Sequence, residues 1–341
     1  MTFDERVQAL EDLGFSERQT RFLVTVALHS GFCLRRHYAA FGGLTYGAGV
    51  RDFLDRLVVR KLAKRLTFRR DRGHVYHLHA SRIYAAIGQD DNRNRRRTSA
   101  ALIARKLMLL DYALEQPGAD WYVTEVDKVA LFTGQLGLSL ADLPRCRYIG
   151  RDRGAPITTR FFVHKLPILV TGDPPTVTLV FLVTETTGGL FAQFLEDHLA
   201  LLDQLPRWRI VAVAPRHVRG LTACADALRR VATERGRLRA PEEIESLQTY
   251  FTRRAQTERD DYSFLNGDIN KVGAEWHAAR QRFSAMEHQA LFERWKIHGP
   301  ASLHRRPGAS LGAALADGRG AFETHELLVR YDRFGTRAGV S

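Results

Sequence analysis

Cysteine is scarce in this chain: Cys33, Cys146 and Cys224 are its three, and they stand far apart along 341 residues. An odd count with no Cys-x-x-Cys pair argues against a disulfide framework or a cysteine-based zinc finger, and it suits a reducing cytoplasm. Long apolar runs are missing too. The longest, around Thr178 to Val183 and Ile210 to Ala214, fall far short of the roughly 20 residues of a spanning helix, so no membrane partner is expected. The stretch from Met1 to Glu11 lacks the basic-then-apolar order of an export signal. No Gly-x-x-x-x-Gly-Lys-Ser/Thr occurs, nor a Gly-x-Gly-x-x-Gly after a strand, so Thr186-Thr187-Gly188-Gly189 reads as a tight strand-to-helix turn. Serines, histidines and acids form no nucleophile constellation. No catalytic residue, metal site or cofactor is expected.

What is present is an ordinary globular composition, 45% hydrophobic and 26% charged, carrying a net charge of +13. The length suits two domains, since a domain takes about 100 to 200 residues. The charge is local. Residues 51–106 hold sixteen Lys and Arg against five Asp and Glu, and so supply +11 of the total. Residues 1–50 balance, and the remaining two thirds of the chain is close to neutral. Basic side chains concentrated in this way read as a binding footprint for an acidic partner.

The same stretch has a legible order of elements. Ser16 caps a helix with Phe22, Leu23, Val26 and Ala27 at helical spacing. Leu34 to Phe41 reads as a short second helix with Arg35, Arg36 and His37 on its polar side. Val50, Phe53, Leu54, Leu57 and Val58 then form the apolar stripe of a third helix over about 46–60. Two alternating runs, 62–70 and 75–78, flank Asp71-Arg72-Gly73 as a hairpin. In this order, and in the segment from Phe53 to Ala63, residues 16–80 resemble winged helix-turn-helix proteins, with Lys61 standing where many of them have a glycine.

That resemblance implies a duplex-DNA reader, with DNA expected ahead of RNA. The N-terminal turn of the third helix would face base edges with Thr45, Tyr46, Gly49, Arg51 and Asp52. Arg35, Arg36 and His37 would touch the backbone, as would Lys64 and Arg65 at the hairpin base and Arg69, Arg70 and Arg72 at its tip. His77 and His79 share a strand face, a weak metal pattern that lacks a third ligand. Gln89 to Ser99 reads as a basic linker or arm in which Arg95, Arg96 and Arg97 could extend the footprint.

The fold class expected is α+β: a winged helix-turn-helix over 1–88, a linker and connector helix over 89–118, an α/β mixed-sheet domain over 119–235, a helical region over 236–298 and a loosely ordered tail over 299–341. The connector's stripe is Leu102, Ile103, Leu107, Leu110 and Leu114. In the α/β part, Trp121–Val123, Arg145–Gly150, Thr158–Val170, Thr176–Thr184 and Trp208–Ala214 read as strands. Glu125–Phe132, Phe191–Leu205 and His217–Thr233 read as helices, as do Pro241–Arg259, Val272–Arg294 and Glu323–Tyr331 further on. With Glu185 after a central strand, the order resembles the PD-(D/E)xK nuclease-like fold and, more narrowly, replication-relaxation proteins of mobile elements. Such a nuclease needs an acid on one strand and acid-x-Lys on the next. Here Thr187 stands at the lysine position and His164-Lys165-Leu166-Pro167 offers no acid, leaving Glu185 with Glu196 or Asp173 as a residual metal option.

The expected function is therefore a cytoplasmic, sequence-recognising double-stranded DNA-binding protein. It would be a transcriptional regulator or a mobile-element accessory factor, a homodimer, with its α/β domain free to dock a protein. A DNA-targeted, metal-dependent nuclease and a winged-helix protein-docking module are the alternatives.

Overall fold

The computed structural model describes residues 1–67, 74–148, 158–162, 165–235, 239–265, 269–304, 308–329 and 331. Its first part runs α1 (Phe3–Gln8), α2 (Glu17–His29), β1 (Phe32–Cys33), α3 (Arg35–Gly42), α4 (Ala48–Val59), β2 (Ala63–Thr67), β3 (His74–Leu78) and α5 (Ser81–Ala86). Ser16 and Gln19 cap α2 reciprocally, which fixes where it starts. The apolar stripes of α2 and α4 then meet in one cluster, where Phe22 packs on Tyr38 and Phe53. The three strands form an antiparallel sheet in the order β1-β3-β2. A two-residue strand such as β1 carries too little pattern to be read from sequence.

The end of α4 is built as a Schellman turn. Leu62 N–H donates to the Leu57 carbonyl at 2.8 Å and Lys61 N–H to that of Val58 at 2.9 Å. Lys61 lies in the left-handed region, with φ 57°. The lysine thus keeps the turn that a glycine would make, at a steric cost of about 1 kcal/mol.

α6 (Ala100–Leu114) joins this part to the next, running on from Ser99, whose hydroxyl accepts from Leu102 N–H. Leu110 packs into the cluster of α2 and α4, while Ile103, Leu107, Met108 and Tyr112 pack with sheet residues Leu169, Val180, Leu182, Val211 and Val213. Two stripes rather than one are buried, so α6 is a shared wall. Leu102, placed on the stripe by its spacing, is exposed instead.

The second part comprises β4 (Asp120–Tyr122), α7 (Glu125–Ala130), β5 (Arg145–Tyr148), β6 (Thr158–Phe161), β7 (Ile168–Thr171), β8 (Thr176–Leu182), α8 (Gly189–Gln204), β9 (Trp208–Pro215) and α9 (Leu221–Arg235). Beyond them lie α10 (Pro241–Thr257), α11 (Ile269–Arg282), α12 (Met286–His298), α13 (Leu311–Ala316) and β10 (Gly320–Leu327). The mixed sheet has the order β10-β9-β8-β7-β4, with β8, β9 and β10 parallel and β7 and β4 each antiparallel to its neighbour. α8 and α9 cover one face and α6 the other. β8 and β9 are buried on both sides, which is why they read as unbroken apolar runs. Among the described residues no helix is long and apolar enough to cross a membrane.

Three sequence expectations change. The stretch 158–170 is two strands in different sheets, parted where Phe162 and Lys165 adopt left-handed backbone. The helix expected over 272–294 is two, broken around Ser284, and α10 to α12 close their own aromatic cluster around Tyr250, Phe251 and Phe292. The tail expected from 299 contributes α13 and β10, and β10 replaces a helix expected over 323–331. β10 is an edge strand bearing Glu323, His325 and Glu326, so it lacks the apolar alternation that reveals a strand. Gly320 opens it because a Cβ there would lie 2.3 Å from the Trp208 ring.

Replacing Lys61 by glycine relieves the left-handed strain and returns part of the gain as unfolded-chain entropy. Lys61→Gly should therefore raise unfolding stability by about 0.5 to 1 kcal/mol, read as a higher urea midpoint with unchanged slope.

Candidate nucleic-acid interface

The N-terminal turn of α4 has no protein covering. Gly47 is its extended cap, and Thr45, Tyr46, Gly49, Arg51 and Asp52 are all exposed, Tyr46 at 65%. Arg51 and Asp52 face each other loosely at 3.6 Å. These five residues lie together around the start of α4, which begins at Ala48, two residues after the sequence placed it.

The polar side of α3 is not a free surface. Arg35 Nε donates to Tyr76 Oη at 3.1 Å, and that hydroxyl donates to Asp55 Oδ1 at 2.9 Å. Burial, and then the bond to Asp55, push the Tyr76 phenol above its ordinary value. This chain of contacts sets α4 against β3 and α3, so Arg35 positions the helix. His37 turns inward altogether, and Arg36, still partly exposed, turns toward α6. Arg36 grips Asp111 on α6 through two bonds of 2.5 and 2.7 Å, and His37 Nε2 lies 3.0 Å from the same carboxylate. Leu34 N–H donates to His37 Nδ1 at 3.1 Å, which makes Nε2 the proton-bearing nitrogen. Burial keeps His37 neutral against the pull of Asp111. The Tyr331 hydroxyl completes the group by donating to Asp111. Burial alone would raise Asp111, but the His37 ring and the Arg36 guanidinium hold it below the usual carboxylate range. The expectation that Arg36 and His37 meet a DNA backbone is therefore corrected, because an acid 74 residues downstream from His37 captures both.

On the hairpin, neighbouring side chains take opposite faces. Arg65 pairs across from Tyr76 and so shares the face of α4, whereas Lys64 pairs across from His77 on the other. Arg69, Arg70 and Arg72 lie outside the described residues. His77 is buried, stacked on Phe32 at 4.2 Å with Nε2 3.1 Å from the Asn94 carbonyl. Its ring is 6.1 Å from that of His79. Among the described residues no group of three His, Cys, Asp or Glu comes together to hold a metal ion.

The segment expected to be a linker is strapped down. Asn94 Nδ2 donates to the Ala27 and Leu28 carbonyls at 2.9 and 2.8 Å, satisfying the end of α2, and its Oδ1 accepts from Lys106 at 2.7 Å. Burial lowers Lys106 to about 8. Arg96 and Arg97 remain exposed, while Arg95 is partly buried. Sequence reasoning passed over Asp55, Tyr76 and Asn94; only the polarity of Asn94 within an apolar-free stretch could have marked it.

The residual metal option is not assembled. Glu185 Oε1 accepts from Leu190 N–H at 3.0 Å and caps α8, and Glu196 pairs with Arg235. Asp173 precedes β8 while Glu185 follows it, which separates them by about 20 Å at the rise of a strand. Gly188 packs the start of α8 on α9, where a Cβ would meet the Ala223 carbonyl at 2.5 Å. Compared with known proteins, the chain matches no family model, no curated protein and no solved structure.

Truncating Asp111 strands Arg36 without its counter-ion and leaves the Tyr331 hydroxyl and the His37 ring without their acceptor. Asp111→Ala should cost about 3 to 5 kcal/mol of unfolding stability in a denaturant titration. Burial lowers His29 to about 3 and His77 to about 4, against a value near 6.5 in the unfolded chain. Both rings are neutral in the folded state, so their contribution is whole above pH 6.5 and is lost as pH falls toward 4. His29 meets Trp121 edge-on at 4.9 Å, and His29→Phe should flatten the loss of stability between pH 6.5 and 4.

Proposed function

We propose that the protein is a sequence-recognising double-stranded DNA-binding protein whose residues 16–80 form a winged helix-turn-helix. The observation that carries this reading is the uncovered N-terminal turn of α4. A helix buried along Val50, Phe53, Leu54 and Leu57 offers Thr45, Tyr46, Gly49, Arg51 and Asp52 outward, and Arg65 lies on the sheet face that carries Tyr76. A three-stranded sheet in the order β1-β3-β2, with β1 between α2 and α3 and the β2-β3 hairpin after α4, supports it, as does the placement of the basic excess. Arg51 is the residue best suited to a base edge, by bidentate contact with guanine.

On this reading the protein acts in the cytoplasm as a transcriptional regulator or as an accessory factor of a mobile element. The sheet and the C-terminal helices serve to form a homodimer or to dock a protein partner. Nothing among the described residues favours the metal-dependent nuclease alternative: β8 carries no acid and Glu185 is occupied as a helix cap.

Retention of duplex DNA should weaken with salt, the logarithm of the affinity falling by about 0.9 per phosphate contact for each unit of log salt. At Gly49 an added Cβ would meet nothing within 4 Å, so Gly49→Ala should fold at least as stably as the parent. The same substitution should weaken binding to a selected site at least tenfold if bases approach this backbone closely. Salt-independent retention, or undiminished affinity in both Gly49→Ala and Arg51→Ala, would remove the reading. Magnesium-dependent cleavage of plasmid DNA would replace it with the nuclease.

A further inference from the structure

At the opposite end of α4, about 18 Å from its exposed first turn, the surface is hollow. Arg60 and Lys61 from the Schellman turn, His79 to Arg82 from the start of α5, and Arg95 from the strap line an open surface hollow of about 510 Å³. It is open to solvent, with room for a phosphate group at its surface. Its lining holds four permanent cations and no acid.

Elsewhere in this chain, arginines at element junctions meet carboxylates: Arg6 meets Asp127, Arg36 meets Asp111 and Arg239 meets Glu243. Here they do not. Arg60 donates to the Leu13 carbonyl at 2.7 Å and lies over the Phe15 ring, and Arg82 donates to the Arg60 carbonyl at 2.9 Å. Backbone acceptors and a ring fix the geometry of both guanidiniums without neutralising them. Arg95 Nε is buried and finds no hydrogen-bond acceptor. Among the described residues no carboxylate pairs with Arg60, Lys61, Arg82 or Arg95. Four like charges gathered in a concavity repel one another unless an anion joins them, and held guanidiniums match phosphate oxygens by forked hydrogen bonds.

We propose that this hollow is a binding site for a phosphate-bearing ligand, separate from the first turn of α4 and independent of whether that turn reads DNA. Three chain segments meet in it, so an occupant ties the strap to the end of α4.

Inorganic pyrophosphate is the probe, titrated calorimetrically into the full chain at fixed ionic strength. Saturable one-to-one binding is expected, weakened at least tenfold by Arg82→Gln and by Arg95→Gln. Arg229→Gln, an exposed guanidinium on α9, should bind as the parent does. Lys61→Gly keeps the test readable should the arginine variants fold poorly, because it removes one cation while relieving backbone strain, and it too should bind more weakly. A short duplex that displaces pyrophosphate one for one would identify the phosphate source as a nucleic-acid backbone; pyrophosphate binding that persists beside bound duplex would identify a free phosphorylated molecule. Absence of saturable binding, or equal weakening by Arg229→Gln, would overturn the proposal.

Discussion

The carboxylate of Asp111 is where three distant stretches of chain are held together. A negative charge this deep is tolerated only because Arg36 meets it with two hydrogen bonds and His37 and Tyr331 satisfy its remaining lone pairs. Each partner belongs to a different problem. Arg36 and His37 hold α3, Asp111 itself holds α6, and Tyr331 holds the chain that leaves β10. The hydrophobic contacts around them, from Leu110 on one side to Val180 and Val213 on the other, are non-directional and would accept several rotations of α6. The ionic group selects one of those rotations.

A similar division of labour holds α4 in place. Its apolar stripe secures burial, while Asp55, Tyr76 and Arg35 fix its angle to the hairpin. The polar contacts here are few and shared, and each supplies direction where packing supplies only attraction. Lys128 does the same on a smaller scale, donating from a buried position to the Leu166 carbonyl and so fastening α7 to the chain entering β7; burial lowers it to about 7.

Much of this was legible in the residues. Ser16 as a cap, the stripe from Val50 to Leu57, and the β-branched runs of β8 and β9 announced their elements, because caps and periodic burial are local properties. The sheet's edge was not, since β10 is charged and half exposed and becomes a strand only by pairing with β9. Lys61 illustrates the same limit in reverse: its identity suggested a departure from a glycine turn, yet the Leu62-to-Leu57 bond and the burial of both leucines impose that turn regardless. Among the candidate contact residues, Thr45, Tyr46, Gly49, Arg51 and Asp52 are where their spacing put them. Arg36 and His37 were misjudged because their shared partner, Asp111, is remote in sequence. A basic side chain shows its charge in the sequence, but the acid that absorbs that charge can lie anywhere along the chain.

α6 lines both hydrophobic clusters and carries the ionic group between them, so the basic N-terminal part cannot swivel on the sheet as a tethered module would. The molecule behaves as a set square. Whatever lies along α4 takes a fixed bearing relative to β8, β9 and the helices beyond them. Two copies joined through those outer helices would then present their α4 turns at a spacing dictated by the solid body, not by the length of a linker.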